Sequence, residues 1–493
     1  MNRFFTTFLA FVTALVALLY RAIRHLLSNL IKWIGSVKWR PSALRELALS
    51  IAQFVVANKK VSIASVVGFV ALLILSTTAT TECSHSGDGS SSQSKSKQHK
   101  PSPKSINTLI SNSMSETEQT KAFDRDIEAF MRRWELTGGT FAIMRNDSLL
   151  YAKGYGYADR EREIKCDASH TFRIASASKL ITAAAIMKLV EEKKLTLNQH
   201  IFGEKGILCD STFMDLKDRN LRLITVEHLL RHTSGLSTPI SDPAFANYSV
   251  AKSLGKELPL DVDDMVKYAS LQRVKARPGG LYDYSNLGYI ILGKVIEVAS
   301  GMGYEEYMQR KILEPAGCYD IYIGKNFSKD RGENEVKYYE VKEAELFPAY
   351  DGSGRQTLKS DGGNNVTLLS SAGGLVASGA ELLRFVAAIN GSGTKRDILS
   401  KESIRLMTYD SSDRSKKPMG WATVHGSEWL RSGSMAGTCA LIKKQKDGYT
   451  WVFITNSSAW IAYHLTNHIS SNISRSVSRV KQWPRQDLFT LTE

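Results

Sequence analysis

The sequence has 493 residues, of which 43% are hydrophobic and 23% charged, so it can bury a sizeable core and is neither a disordered nor a fibrous chain. Its formal charge of +15 does not indicate nucleic-acid binding, because residues 1–104 hold 13 Lys or Arg and 3 Asp or Glu, which leaves only +5 for the rest. Five cysteines without paired short spacings exclude a zinc site and a disulfide scaffold.

Two uncharged apolar stretches, residues 4–20 and 61–79, open the chain, and each is near the minimum length of a membrane-spanning helix. The loop between them carries eight Lys or Arg and one acidic residue, which by the positive-inside rule lies in the cytoplasm. The sequence therefore predicts a membrane helical hairpin over residues 1–82, with the remainder extracytoplasmic, in the periplasm or on the cell surface. An alternative is a lipoprotein modified at Cys83, although Glu82 fits a signal-peptidase site poorly.

A Ser-, Lys-, Gly- and His-rich stretch from about residue 84 to 104 is typical of a flexible tether, and we assign residues 83–118 to a linker. Residues 119–493 are expected to form one folded unit. It begins with a helix over 123–134 and two strands over 139–144 and 149–153.

The elements that follow are mostly helical, and strands return only near the end of the chain. Helices are expected over 177–194, 225–231, 261–271, 287–300, 304–312 and 379–390. A strand pair over 438–442 and 450–455 precedes a closing helix over 459–480. The order predicts an α/β fold in which both termini build one antiparallel sheet, flanked by terminal helices and a helical subdomain.

Ser176 and Lys179 stand at the start of an apolar helical run, one turn apart on the same face. A serine there can be activated by the lysine, and helix N-terminal N–H groups can hold a developing oxyanion. The same Ser-x-x-Lys spacing occurs elsewhere, for example at Ser253 and Lys256, but without an apolar helix. The alternative role for Ser176 is an ordinary helix N-cap.

Two further segments carry candidate site residues. Tyr284 precedes an apolar helix, and a lysine ammonium beside it would lower its pKa enough to make it a base, while Asn286 offers a donor and an acceptor to a substrate amide. Arg431, Gly433 and Ser434 precede a strand, where the arginine supplies charge, the glycine lets a substrate backbone approach, and the Ser434 N–H can donate to an oxyanion. A core tyrosine, a helix cap and a plain turn are the alternatives.

These segments in this order resemble the serine β-lactamase and penicillin-recognising hydrolase family, within its branch of class C β-lactamases, D-alanyl-D-alanine carboxypeptidases and carboxylesterases. The resemblance covers roughly residues 119–480 and includes further motifs at 154–159, 232–236, 371–375 and 454–456. It implies a β-lactamase-like fold and an acyl-enzyme. The implied roles are nucleophile for Ser176, activating partner for Lys179, general base for Tyr284, substrate-amide contact for Asn286, and an oxyanion hole from the Ser176 and Ser434 N–H groups.

One departure concerns Arg431, since the family usually has Lys or His at this position. Arginine keeps the cation and can grip a substrate carboxylate with two parallel bonds, but it cannot shuttle a proton. The sequence thus predicts a membrane-tethered serine hydrolase acting on D-amino-acid peptides, β-lactams or small esters. The alternative is a non-catalytic or single-turnover sensor of penicillins or wall fragments.

No cofactor or metal is expected. The pairs His228/His232 and His464/His468 have helical i, i+4 spacing, but neither has a third ligand or a metalloprotease glutamate. The expected partners are a small-molecule or peptide substrate and the membrane, not nucleic acid. Four cysteines after residue 84 can pair in three ways or remain free thiols, and the segments 200–220 and 327–362 are expected to form pocket walls.

Overall fold

The computed structural model describes residues 105–492, apart from 214, 237–241, 394–396, 413–415 and 462–463. The hairpin predicted for residues 1–82 and most of the linker lie outside this part of the chain and stay predictions. Within the described residues, no helix is both long and apolar enough to cross a bilayer.

The central element is a seven-stranded antiparallel sheet with the spatial order β3-β2-β1-β12-β11-β10-β9. The first long strand, β1 (Gly138–Arg145), pairs with the last, β12 (Tyr449–Thr455), so that Phe141 lies opposite Phe453. The prediction that both termini build one antiparallel sheet is thereby confirmed. The other strands are β2 (Ser148–Asp159), β3 (Ile164–Lys165), β9 (Thr423–His425), β10 (Glu428–Met435) and β11 (Thr438–Lys444).

The described residues form ten α-helices. In chain order they are α1 (Lys121–Arg133), α2 (Ser178–Glu191), α3 (Val226–Leu230), α4 (Asn247–Leu254), α5 (Val262–Ser270), α6 (Asn286–Ser300), α7 (Tyr304–Met308), α8 (Gly379–Ala387), α9 (Lys401–Met407) and α10 (Leu465–Arg479).

The sheet is buried on both faces, which explains why its central strands are apolar throughout. Phe141 and Ile143 pack in one cluster with residues of α1 and α10, whereas Ala142 and Met144 belong to the larger cluster formed with the other helices. Alternate residues of a strand point to opposite faces, so a sheet between two helical layers needs apolar residues at every position.

A small antiparallel sheet supports the turn that precedes Ser176. It consists of β4 (Phe172–Arg173), β8 (Leu375–Ala377) and β5 (Tyr322–Ile323), and a two-stranded ribbon pairs β6 (Phe347–Pro348) with β7 (Gln356–Thr357). The buried Arg173 guanidinium donates to the carbonyls of Ser360 and Lys325, both at 2.7 Å. Because unpaired buried carbonyls are costly, these bonds fix the 325–360 segment against the strand that leads to Ser176.

The folded unit begins earlier than the sequence predicted, because residues 106–108 contact α8 and residues 112–115 pack against β2. Asn112 donates to the carbonyls of Gly154 and Cys166 at 3.1 and 3.0 Å, and Ser115 hydrogen-bonds both the N–H and the carbonyl of Ala152. These polar side chains satisfy the free edge of β2. The predicted boundary at 119 is therefore too late, and the part of the linker from residue 105 onward belongs to the domain.

The four cysteines of the described residues are free thiols. Cys166, Cys318 and Cys439 are buried, and Cys209 is exposed. Burial raises the pKa of the Cys166 and Cys439 thiols to about 12, so neither is a nucleophile at neutral pH.

Candidate active site

Ser176 lies in a short 3₁₀ turn, Ala175–Ala177, that runs directly into α2. Ala175 adopts the left-handed backbone conformation with φ +46°, which is rare for a residue with a Cβ and stores strain at this point of the chain. The N-cap of α2 is Ala177, without a side-chain bond, so Ser176 does not cap the helix. Its hydroxyl is free to make other contacts.

Two predicted partners meet this hydroxyl. The Tyr284 hydroxyl donates to Ser176 Oγ at 2.8 Å, and Lys179 Nζ lies 3.3 Å from the same atom. One turn of helix separates Ser176 from Lys179, whereas 108 residues separate it from Tyr284. The structure thus brings together the three residues that the sequence proposed as nucleophile, activator and base. Their chemical roles stay predictions.

Lys179 is fully buried, and its ammonium donates hydrogen bonds to three oxygen atoms. Besides Ser176, it donates to Asn286 Oδ1 at 2.7 Å and to the carbonyl of Ala372. Burial lowers the pKa of Lys179 to about 8, opposed by the attraction of Tyr284 and assisted by repulsion from Arg431. The lysine is accordingly poised to exchange a proton near neutral pH.

Tyr284 lies between two cations. The residue is 38% exposed, and its hydroxyl hydrogen-bonds Lys179 and lies 3.3 Å from Arg431 Nη2. Burial opposes ionisation of the phenol, yet the charges of Lys179 and Arg431 and the hydrogen bonds outweigh it and lower the pKa of Tyr284 to about 7. A group with that pKa can serve as a general base at neutral pH.

His232 packs against Tyr284. The centroids of the His232 and Tyr284 rings lie 4.4 Å apart with the rings tilted by 32°, and His232 Nδ1 accepts from the N–H of Ser285 at 3.2 Å. Burial, then Lys179 and Arg431, hold the pKa of His232 well below its usual value. The imidazole is therefore neutral and fixes the backbone between Tyr284 and Asn286.

Asn286 is the first residue of α6, and Ser285 is the cap, since its hydroxyl accepts from the N–H of Gly288 at 3.0 Å. The Asn286 amide is oriented from both ends: Oδ1 faces Lys179, and Nδ2 donates to Asp242 at 2.5 Å. The sequence analysis did not identify Asp242. Its only local signal is that of a turn residue, because its side chain caps the 3₁₀ turn Pro243–Phe245. No spacing rule links it to Asn286.

The edge of β10 forms another side of the site. β9 pairs only with Glu428–Leu430, so from Arg431 onward this edge of the strand faces the Ser176 turn. Arg431 Nε donates to the carbonyl of Ser176 at 2.8 Å. Ser434 lies exposed at the same edge, as an oxyanion donor would need to, and its role there stays a prediction.

Gly433 has no room for a side chain, which yields a prediction. In Gly433→Ala, the added Cβ would lie 2.3 Å from the carbonyl oxygen of Ile174 and 2.8 Å from the Ser176 nitrogen. Since both contacts are with backbone, the Ser176 turn must move. We expect the free energy of unfolding to fall by about 1–3 kcal/mol and kcat/KM for an ester to fall about 100-fold.

Gly303→Ala is the matched control for this substitution, because nothing lies within 4 Å of its added Cβ and its φ of −59° suits any residue. Chemical denaturation and ester hydrolysis measure the two effects. Equal behaviour of the two variants would contradict the close approach of β10 to the nucleophile.

One histidine of each predicted pair makes a contact within the fold. His228 Nδ1 accepts from the N–H of Thr225 at 3.2 Å, and the His468 ring packs against Trp134 at a tilt of 42°, with centroids 4.6 Å apart. In the part of the chain that the structure describes, no three His, Cys, Asp or Glu side chains form a cluster suited to a metal ion.

The fold and this group of side chains define a class of protein. A helix-covered antiparallel sheet that sets a serine, a buried lysine and a tyrosine hydroxyl in mutual contact is that of a serine hydrolase with a β-lactamase-like fold. The family model "Beta-lactamase" matches residues 123–470, which is more than half of the chain. This chain therefore belongs to the beta-lactamase family.

Some relatives by sequence have names that refer to penicillin binding, and others have names that state no activity. The chain is 28% identical to "Putative penicillin-binding protein PbpX" of Bacillus subtilis (strain 168) over 347 residues, covering 68% of this chain and 75% of the relative. It is also 28% identical to "Protein flp" of Staphylococcus aureus (strain N315), but over only 39% of this chain and 36% of that protein.

Solved structures with the same fold include a penicillin-binding protein homologue and an amidase. The octameric homologue from Pyrococcus abyssi has a TM-score of 0.53 and 24% identity, with 72% of this chain and 78% of that chain covered. The D-amino acid amidase from Ochrobactrum anthropi SV3 has a TM-score of 0.57 and 19% identity, with 74% and 100% covered. At these identities the likeness establishes the fold.

Proposed function

We propose that this protein is a hydrolase that forms an acyl-enzyme on Ser176, with Tyr284 as the general base and Lys179 as its activating partner. The observation that carries the proposal is the Tyr284 hydroxyl, which lies 2.8 Å from Ser176 Oγ and within reach of two cations. A base needs hydrogen-bond reach to the proton it removes and a pKa near the working pH, and Tyr284 meets both conditions.

In the first half-reaction, the Tyr284 phenolate takes the proton of the Ser176 hydroxyl while Oγ bonds to the substrate carbonyl carbon. The carbonyl electrons move to oxygen, where the N–H groups of Ser176 and Ser434 would donate to the oxyanion. The intermediate then collapses, its bond to the leaving group breaks, and the Tyr284 proton passes to that group. In the second half-reaction, water gives a proton to Tyr284 while its oxygen bonds to the acyl carbon. The bond from that carbon to Ser176 Oγ then breaks, Oγ takes the proton back from Tyr284, and the acid leaves.

The proposed substrates are carbonyl compounds that such a site can acylate: amides or peptides of D-amino acids, β-lactams and small esters. A relative named for penicillin binding and a fold neighbour named as a D-amino acid amidase support this range. The fold does not choose among these substrates, because the loops around the pocket decide specificity.

Turnover tests this proposal. The full-length protein is mixed with a chromogenic ester or cephalosporin, and the released chromophore is counted per protein molecule. Many equivalents consumed, with no consumption by Ser176→Ala, is the expected result. One equivalent followed by a halt would support a single-turnover sensor, and no consumption together with no labelling of Ser176 would refute the acyl-enzyme and leave the non-catalytic sensor.

We also propose that residues 1–82 anchor the catalytic domain to the outer side of a membrane, with the segment up to residue 104 as the tether. Support comes from two apolar stretches that enclose a basic loop. A protease added outside intact cells is expected to cut within 84–104 and release the domain. Protection of this segment until the cells are opened would reverse the orientation.

A further inference from the structure

The Asn286 side chain lies between a cation and a carboxylate. Its Oδ1 accepts from Lys179 Nζ at 2.7 Å, and its Nδ2 donates to Asp242 Oδ2 at 2.5 Å. Asn286 is itself buried, so the protein and not bulk water sets the surroundings of its amide. The three side chains form a hydrogen-bonded chain that ends at the lysine beside Ser176.

The position of Asp242 is set by the backbone that follows it. Its Oδ1 accepts from the N–H of Ala244 at 3.0 Å and caps the 3₁₀ turn Pro243–Phe245, whose first two residues are buried. This turn contacts α6, the helix that begins at Asn286. Because a packed turn holds one oxygen of the carboxylate, the other oxygen meets Asn286 in a fixed place.

A primary amide can turn by half a revolution, which exchanges its oxygen and its NH₂ group. In the exchanged orientation of Asn286, the NH₂ group would meet the Lys179 ammonium and the oxygen would meet the Asp242 carboxylate. Both contacts would be repulsive, so the two charges select the same orientation. If the lysine lost its proton, its amine could accept from the NH₂ group, and only Asp242 would still favour the observed orientation.

The charged and titratable groups that face Lys179 are Tyr284, Arg431, His232, Tyr289 and, through Asn286, Asp242. His232 and Tyr289 are uncharged at neutral pH, because burial lowers the pKa of the histidine and raises that of the tyrosine. Burial lowers the pKa of Lys179 to about 8, while the negative charges of Tyr284 and Asp242 oppose this shift. Arg431 acts in the same direction as burial. Asp242 is the carboxylate in this group.

We infer that Asp242 is a positioning residue of the site, which holds the Asn286 oxygen toward Lys179 and, by this contact and by its charge, keeps the lysine in the ammonium form. The inference rests on the proposed function, in which the Lys179 cation favours the Tyr284 phenolate. A neutral Lys179 would no longer attract this anion, and the base would be lost. Asp242 thus acts on the reaction through Asn286 and Lys179.

The pH dependence of ester hydrolysis tests this role. For the full-length protein and a neutral p-nitrophenyl ester, kcat/KM should rise through about pH 7 as Tyr284 ionises and fall above about pH 8 as Lys179 loses its proton. Product release is followed at a wavelength at which p-nitrophenol and its anion absorb equally, and uncatalysed hydrolysis is subtracted. The alkaline limb of the profile then reports the charge of Lys179.

Two substitutions separate the charge of Asp242 from its hydrogen bonds. Asp242→Asn removes the charge but keeps an oxygen for either the Ala244 N–H or the Asn286 amide, whereas Asp242→Ser can cap the turn but is too short to reach Asn286. In both variants the alkaline limb should move down by about one pH unit, because Lys179 loses the attraction of a carboxylate. At about pH 8, kcat should fall about 3- to 10-fold, more in Asp242→Ser, with KM little changed.

Asp218→Asn is the matched control. Asp218 is also half-buried and caps a 3₁₀ turn, Arg219–Leu223, with both carboxylate oxygens accepting from backbone N–H groups. Its pH profile and kcat should match the wild type. An equal shift of the alkaline limb in Asp218→Asn would overturn the inference, because the effect would then not depend on the contact with Asn286.

An alkaline limb that stays in place in folded Asp242→Asn and Asp242→Ser would also overturn the inference, even if kcat fell, because a residue that only caps its turn does not set the charge of Lys179. The acyl-enzyme at Ser176 would be unaffected by that result. The wild type gives a test without any variant: kcat/KM that does not fall up to about pH 10 would contradict a titrating Lys179. If the wild type neither hydrolyses the ester nor gains an acyl group on Ser176, the proposed function itself is wrong, and the inference is wrong with it.

Discussion

Replacement of Ser176 by alanine is expected to abolish acylation and to lower kcat/KM for esters by about 10⁴-fold or more. The Ser176 hydroxyl is the only group at the site that the proposed reaction makes covalent, and alanine leaves Lys179 and Tyr284 in place. The thermal unfolding midpoint should change little, because the hydroxyl caps no helix and is partly exposed. Labelling by a fluorophosphonate and calorimetry measure the two effects.

Ser253→Ala is the matched control for this substitution. Ser253 has the same spacing to Lys256 as Ser176 has to Lys179, but its hydroxyl donates to the carbonyl of Val250 within α4. It should be labelled and active like the wild type. Labelling retained in Ser176→Ala would mean that another serine is the nucleophile.

Replacement of Tyr284 by phenylalanine is expected to lower kcat by about 10²- to 10⁴-fold, since it removes the base and keeps the ring. In the wild type, activity should rise as the pH increases through about 7, because the phenol whose pKa is about 7 must lose its proton before it can accept one. Tyr284→Phe should lack this rise. Rates of ester hydrolysis between pH 5 and 9 measure both effects.

Tyr282→Phe tests whether any tyrosine hydroxyl of this loop would serve. Burial raises the pKa of Tyr282, so its phenol stays protonated throughout this range, and its loss should leave the pH profile unchanged. If Tyr284→Phe kept the wild-type rise near pH 7, the titrating base would have to be a different group.

Much of the framework could be predicted from local pattern. The strands around Asn146-Asp147 and Asp447-Gly448 carry turn signals between apolar runs, and the helix after Ser176 is apolar enough to be buried on all sides. These features depend on neighbours in sequence. The apolar pattern predicts a closing helix from residue 459, but the helix begins at Leu465, because a helix start without a capping side chain leaves little signal in the sequence.

The sequence could predict a contact in the site only where the spacing of the two residues within one helix sets their distance. Lys179 follows from helix geometry, whereas the contact of Tyr284 with Ser176 depends on long-range folding that resemblance alone suggested. Asp242 and the commitment of Arg431 to the Ser176 carbonyl were beyond the sequence, since a turn residue and a strand residue have no periodic relation to their partners. The same holds for the packing of residues 112–115 on β2.

The most direct test of the central claim is the intact mass of the full-length protein at successive times after mixing with a neutral p-nitrophenyl ester, each sample quenched in acid. The account predicts one added acyl group at early times, located on the peptide that contains Ser176 and absent from Ser176→Ala, followed by return to the starting mass as deacylation proceeds. Ester hydrolysis without any acyl adduct in a sufficiently fast quench, or an adduct on another residue, would contradict an acyl-enzyme at Ser176.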